Sequence, residues 1–357
     1  HFLLGVCLLF YDFVRMRCLK VTILPANIAR QSFSRKQVLP TVIQIRARRR
    51  MASTGPRILL YLKDNNSLAT ADFTECIVQH FQEKASKGNL TTQITAELNG
   101  NRLVLSKPAE NNAGVKLKHP EFCPIHHLTS NDAESLPEAI KTRGVHVGAA
   151  VILQTSDGKV LLTRRANHLQ TFPGIWVPPG GHVEENETFI DAGLRELYEE
   201  TGVKTTSSDI EGGQLKVLAL WESVYPPKLS LGPPIRHHIV TYLYGIMTPG
   251  HDSAWLMSNI KMDPEEVGAC ALFDREHIEA IVSVKEGRKA RSDLDLERLK
   301  GRSICGLLIN EKKEQVESDL SFAPLLQPAG DSVDQMGRVS TGTKFALEEL
   351  LCINGLG

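Results

Sequence analysis

Three glutamates, Glu196, Glu199 and Glu200, stand within one helical turn in the stretch GHVEENETFIDAGLRELYEETGV, residues 181 to 203. A helix turns about 100° per residue, which gathers the three carboxylates into an arc of roughly 100° and sends Ile190, Leu194, Leu197, Tyr198 and Thr201 to the other side. One face packs and the other collects charge. Like charges at i,i+4 repel, so a cation is expected among them. Hard oxygen donors with room left for water and phosphate suit Mg²⁺ or Mn²⁺ better than zinc. A bare E-x-x-E-E is more often a solvated helix face, and Gly181, Arg195 and Gly202 at their spacings argue against that reading here.

The elements that must position this charge can be read around it. Thr188 followed by Asp191 predicts a capping box at the helix start, and Gly202 suits the left-handed residue that ends a helix. Upstream, Pro178-Pro179-Gly180-Gly181 supplies paired glycines that let backbone approach a phosphate and enter the helix tightly. Residues 145 to 153 and 159 to 163 predict a hairpin across Ser156-Asp157-Gly158. Two long strands, 216 to 224 and 237 to 247, are expected to pair. Another strand ends at Leu272 and Phe273, after which Asp274 can cap a helix running to about Val284.

Ahead of this block, 57 to 62 reads as a strand, Ser67 as the cap of a helix carrying Phe73, Ile77, Val78 and Phe81, and 91 to 105 as a hairpin across Asn99-Gly100-Asn101. No chemistry shows there, and dimerisation, substrate shaping and plain packing stay open. The first 50 residues hold ten Lys and Arg after the apolar opening, with Asp12 the one acid of the basic part. They read either as an organelle-targeting peptide or, the preferred reading, as leader upstream of a start at Met51. Beyond Lys289 the charge density rises and patterning weakens, which predicts a loosely structured extension, with a helix over 339 to 351 that docks back. The expected division is therefore a basic leader at 1–54, a small α/β N-terminal domain at 55–108, a linker at 109–143, the catalytic domain at 144–288 and a C-terminal extension at 289–357.

Composition narrows the class. Lys plus Arg and Asp plus Glu both number 41 in the 357 residues, so no bulk charge draws the chain to DNA or a membrane. Seven scattered cysteines without C-x-x-C spacing argue for a reducing compartment and against a zinc ribbon. Cys123 with His119, His126 and His127 matches no zinc spacing and reads as a loop.

The stretch at 181 to 203 resembles a complete Nudix box: Gly, five residues, Glu, seven residues, then Arg-Glu-apolar-any-Glu-Glu-any-Gly-apolar. Here these are Gly181, Glu187, Arg195, Glu196, Leu197, Glu199, Glu200, Gly202 and Val203, with no departure. The resemblance covers about 144 to 287 and implies an α/β Nudix fold, a mixed β-sheet sandwiched between α-helices. It implies cleavage between two phosphates of a nucleoside diphosphate derivative, with Glu196, Glu199 and Glu200 holding Mg²⁺ or Mn²⁺. Arg195 would orient Glu196 or its neighbours, Glu187 would be structural, and the general base would be Glu199 or Glu266, the latter equally readable as a solvated loop acid. Arg164 and Arg165 either meet substrate phosphates or face water.

Substrate must come from outside the box. Leu161, Leu162, Thr163, Arg165, Gly174, Pro179, Gly180 and Gly181 follow the pattern of CoA-cleaving members, but Ala166, Gln170 and Pro178 break it. The zinc ribbon and the post-box run of NADH-cleaving members are missing. The segments 176 to 184, 220 to 227, 237 to 240 and 338 to 347 instead resemble a branch that hydrolyses the 7-methylguanosine cap of RNA, releasing 7-methyl-GDP. Trp221 and Tyr225 could then stack a base or serve as core. A dinucleotide pyrophosphatase acting on NADH and an inactive RNA-binding module on the same fold are the alternatives. The expected location is cytoplasmic, or peroxisomal, or mitochondrial if the leader is a targeting peptide.

Overall fold

The computed structural model describes residues 58–64, 67–82, 89–99, 102–110, 114–284, 296–328 and 336–354. The basic leader expected at 1–54 lies outside them. The described chain starts with β1 (Leu59–Asp64) and β2 (Ser67–Thr70), an antiparallel pair. Ser67 thus opens a strand and not a helix; the helix expected after it is the short α1 (Ile77–Phe81), whose Ile77, Val78 and Phe81 are buried. Strands β3 (Thr91–Asn99) and β4 (Arg102–Ser106) form the expected hairpin, and β4 runs parallel to β1.

The stretch read as linker contributes β5 (Val115–Lys118), α2 (Ser130–Ser135) and α3 (Glu138–Lys141). A four-residue strand, Val115-Lys116-Leu117-Lys118, is too short for its alternation to stand out in sequence. It nonetheless joins two parts of the sheet, antiparallel to β3 and parallel to β10 (Lys216–Tyr225).

Between them come the strands that carry the box. The strand β6 (His146–Gln154) is buried along seven of its nine residues, as a central strand covered on both faces must be. It is followed by β7 (Val160–Arg165), β8 (Trp176–Val177), β9 (Gly180–His182) and the box helix α4 (Phe189–Thr201). The capping box is made as expected: Thr188 Oγ1 accepts from the Asp191 amide at 3.1 Å, and Asp191 Oδ2 accepts from the Thr188 amide at 3.2 Å. Gly202 ends the helix at φ 70°, a conformation that L side chains resist.

After β10, β11 (Arg236–Ile246) pairs antiparallel with it and parallel with β6. Then follow α5 (Ser253–Asn259), β12 (Val267–Phe273) beside β7, and α6 (Arg275–Ser283), capped by Asp274 as expected. The extension is more ordered than its charge suggested. It supplies α7 (Leu296–Lys300), a hairpin of β13 (Ser303–Ile309) and β14 (Gln315–Ser321), and α8 (Thr341–Asn354). The outermost strand β14 is largely exposed, so its residues are polar and hide the strand from pattern reading.

Fourteen strands of the described residues form one sheet in the order β14-β13-β12-β7-β6-β11-β10-β5-β3-β4-β1-β2, with β8 on β7 and β9 on β6. A further bridge from Leu59 to His146 joins β1 back to β6. Two apolar cores cover the sheet. One gathers Val147, Val151, Leu161 and Leu243 beneath Ala192 and Leu197 of α4. The other sets Ile152, Leu162, Trp176 and Phe273 against Ile281 of α6 and Phe345 and Leu347 of α8. Each fully buried side chain of this size contributes about 1.5–3 kcal/mol, which holds the box helix and the C-terminal helix on opposite faces of one rigid sheet.

Candidate active site

The carboxylates sit where α4 meets the β8–β9 turn. Carboxylate oxygens of Glu196, Glu200 and Glu266 lie within 4.8 Å of one another. Glu200 points inward at 6 % exposure, with Oε1 accepting from the Gly180 amide at 3.4 Å and Oε2 from Thr163 Oγ1 at 3.3 Å. Burial foremost, then the Glu196 charge, pushes its pKa up to about 8. Glu196 is likewise raised, mainly by burial. Carboxyls crowded together out of water are stabilised as anions by a cation set among them, and three hard oxygen donors without sulfur or imidazole suit a divalent cation of the Mg²⁺ or Mn²⁺ kind.

Arg195 ties the cluster to its helix entry. Its Nε and one terminal nitrogen grip Glu187 at 3.0 and 2.7 Å, the same terminal nitrogen donates to the His182 carbonyl at 2.9 Å, and the other donates to Glu196 at 2.7 Å and Glu199 at 3.2 Å. The guanidinium fork fits this work because its donors are planar and fixed. Glu187 is held against Arg195 as a structural partner. The Glu199 carboxylate takes part in this bridge, and it is Glu266, from the turn before β12, that joins Glu196 and Glu200. The Ala166 amide donates to the Glu266 carbonyl at 2.8 Å, so the β7–β12 pairing carries that turn to the helix.

The paired glycines leave room for this approach. A Cβ on Gly181 would collide with the Glu196 carboxylate, and one on Gly180 would strike the Ala149 carbonyl and Ala150 Cα of β6.

A cavity of about 250 Å³ opens beside the cluster and includes Gly180, Gly181, Arg165, Trp221 and Tyr225 in its walls. Arg165 reaches it and Arg164 does not: neighbours on a strand point to opposite faces, and Arg164 lies over the Trp176 ring at 6.0 Å in the second core. Arg164 is therefore replaced by Arg165 as the arginine facing the pocket. Trp221 is 5 % exposed and tilts against Phe345 at 5.7 Å, so it is both core and wall. The Tyr225 ring meets Phe172 edge-on at 5.0 Å, and its hydroxyl donates to the Gln170 carbonyl at 3.2 Å.

Sequence reasoning gave no site role to several further wall residues, among them Phe122, Phe172, Lys228, Arg236, His238 and Arg338. His238 and Arg338 lie in segments that carry the resemblance, but no pattern local to any of the six marks it as a wall of the cavity. Arg338 arrives because the segment before α8 runs along β8, the Trp176 amide donating to the Arg338 carbonyl at 2.9 Å and the Ser340 amide to the Trp176 carbonyl at 3.0 Å. The walls thus combine aromatic faces with several cations. His238 is pushed down to about 3, by burial first and then by neighbouring His182, His237, His146 and Arg236, so it stands neutral here.

Residues 144–293 match the model of the NUDIX domain family. The chain is 41% identical over 293 residues to the m7GpppN-mRNA hydrolase NUDT17 of Danio rerio, covering 82% of this chain and 94% of that one. It is 40% identical over 297 residues to the protein of the same name from Xenopus laevis, with 82% and 94% covered. To that of Homo sapiens it is 38% identical over 268 residues, with 74% and 79% covered.

Proposed function

Because the chain belongs to the Nudix family of hydrolases acting on phosphorus-containing anhydrides, we propose that its substrate is the 7-methylguanosine cap of RNA, cleaved to release 7-methyl-GDP. The observation that carries this reading is the adjacency of the Glu196, Glu200 and Glu266 carboxylates to a cavity walled by both aromatic rings and cations. A base needs flat apolar faces, and a polyphosphate needs positive charge and backbone close to its oxygens. The relatives from Danio rerio, Xenopus laevis and Homo sapiens, named m7GpppN-mRNA hydrolases, support the same substrate.

In this reading Glu196, Glu200 and Glu266 hold a divalent ion, Mg²⁺ or Mn²⁺, which when bound neutralises the pyrophosphate and acidifies a water. The chain's own groups do the remainder. Arg195 is a positioning residue, locking Glu196 against Glu187. Arg165 and Arg236 face the phosphates, Gly180 and Gly181 bring backbone against them, and Trp221 and Tyr225 offer ring faces to the base. Of the two candidate bases, Glu266 stands in the cluster with Glu196 and Glu200 and Glu199 does not, so Glu266 would hold the ion through one carboxylate oxygen and take the water's proton on the other. The five described cysteines are free thiols, which supports a reducing compartment, cytoplasmic in the first instance. Among the described residues no helix is long and apolar enough to cross a membrane.

The test is to incubate the protein with Mg²⁺ or Mn²⁺ and a panel of methyl-capped RNA, NADH, CoA and ADP-ribose, and to identify products by mass. Capped RNA is expected to yield 7-methyl-GDP with the highest kcat/KM. NADH turnover far above cap turnover overturns the reading in favour of a dinucleotide pyrophosphatase. RNA retained without any cleavage overturns it in favour of a binding module.

A further inference from the structure

A second group of metal-ligand side chains lies away from the box, where α1 and the turn-rich loop after β5 meet the sheet. The ligand atoms of Cys76, His119 and His126 all lie within 4.8 Å of one another. Cys76 is the residue just ahead of α1, and the two histidines flank Cys123 in a loop braced by backbone bonds, from the Cys123 amide to the Pro120 carbonyl at 3.1 Å and from the His127 amide to the Cys123 carbonyl at 3.2 Å. His119 is fully buried, yet neither of its ring nitrogens has a hydrogen-bond partner, and Nδ1 of His126 has none either.

Such orphans are costly. A buried polar group without a partner loses about 1–3 kcal/mol of desolvation free energy, and an imidazole with both nitrogens unpaired loses it twice over. Neighbouring charge has the sign a cation needs. Glu222 is fully buried beside the group, its Oε2 accepting from the Cys76 thiol at 3.6 Å. Its carboxylate also accepts from the Ile77 and Val78 amides at 2.9 and 3.1 Å and lies 3.0 Å from His237 Nε2.

We infer that Cys76, His119 and His126 form a second metal site, distinct from the carboxylate cluster and selective for Zn²⁺, which clamps the start of α1 to the 119–128 loop. One thiolate and two imidazoles are a borderline-soft donor set that suits zinc and not magnesium. With Zn–N near 2.0 Å and Zn–S near 2.3 Å, the ligand atoms of a tetrahedral set with one sulfur stand roughly 3.3–3.6 Å apart, so small side-chain rotations close the set. Binding releases the thiol proton to solvent. The consequence reaches the pocket, because Pro120, Phe122, Cys123 and Pro124 of the clamped loop form one of its walls.

The proposal stands independently of the cap substrate and is tested without turnover. Metal-free protein is saturated with Mg²⁺ and then titrated with Co²⁺ under reducing conditions while its absorption spectrum is recorded. One equivalent should bind with a thiolate-to-cobalt charge-transfer band and the strong visible absorption of four-coordinate Co²⁺, and one equivalent of Zn²⁺ should displace it. Glu200→Gln should leave this signature unchanged. Cys76→Ser should remove the charge-transfer band and weaken binding by more than the ~10–100-fold that loss of an outer-shell partner costs. Absence of any thiolate band in the wild-type protein overturns the site. So does a band that persists in Cys76→Ser protein whose circular dichroism is native.

Discussion

Replacing Glu200 by glutamine should make the metal-free protein more stable while abolishing hydrolysis. In the unfolded chain a glutamate titrates near ~4.3; in the fold Glu200, buried and facing Glu196, titrates at about 8. Its raised pKa favours the protonated fold. Measured from acid, where both states carry the proton, stability is lost as pH rises between these values and reaches a constant deficit above the folded pKa. At ~1.4 kcal/mol for each tenfold in proton affinity the ceiling is about 5 kcal/mol, and local relaxation with water entry should leave about 2–3 kcal/mol. Glutamine carries no charge in either state and can still accept from the Gly180 amide. Urea unfolding in EDTA at about pH 9 should therefore show Glu200→Gln more stable than wild type by about 2–3 kcal/mol, and near-equal at about pH 4, below the unfolded pKa. Saturating Mg²⁺ should stabilise the wild type and leave the variant unchanged. Equal stabilities in EDTA at the higher pH, or a variant stabilised by Mg²⁺ as much as wild type, would refute the view that Glu200 is a buried carboxylate completed by a cation.

Three further changes probe the geometry around it, and a fourth the buried Glu222. Arg195→Lys keeps the charge but loses the fork that spans Glu187, Glu196 and Glu199, so kcat or Mg²⁺ affinity should fall about 10–100-fold with little change in melting temperature; steady-state kinetics against metal concentration reads this. Gly181→Ala puts a methyl against the Glu196 carboxylate, and displacement of that group by about an ångström should lower kcat roughly 100-fold in a protein that remains folded. Gly180→Ala strikes the β6 backbone instead, so its main effect should be a lower urea midpoint. Glu222→Gln weakens the buried acceptor of the Ile77 and Val78 amides and of the His237 contact and should cost about 1.5–3 kcal/mol of unfolding free energy; an unchanged urea midpoint would show that these bonds contribute nothing to stability.

The box helix was legible residue by residue because everything that defines it is local: the Thr188–Asp191 cap, the left-handed Gly202 and the turn-by-turn placement of Glu196 and Glu200. Long strands such as β10 and β11 were legible for the same reason, their apolar patterning lying within one stretch. What depends on pairing between distant segments was not. Glu266 reads as a loop acid until β12 is laid beside β7, and Cys76 belongs to no cluster until α1 is set against the 119–128 loop. Arg164 and Arg165 show a missed local rule, since the period-two alternation of a strand already requires that only one of them face the site. The extension was underestimated because an outer strand such as β14 carries the polar residues of a water-facing edge.

The bridge from Leu59 to His146 closes the strands β6, β11, β10, β5, β3, β4 and β1 into a ring. Rings have an assembly order. As the chain leaves the ribosome, β5 has no parallel neighbour until β10 has been made, and β1 cannot meet β6 before the segment between them is released. Long-range and parallel pairings of this kind are paid for in loop-closure entropy before any contact rewards them, so the early strands must wait with open edges. A piece cut to the catalytic segment alone would keep its carboxylates while baring the β10 edge that β5 covers, an invitation to sticky, edge-to-edge association.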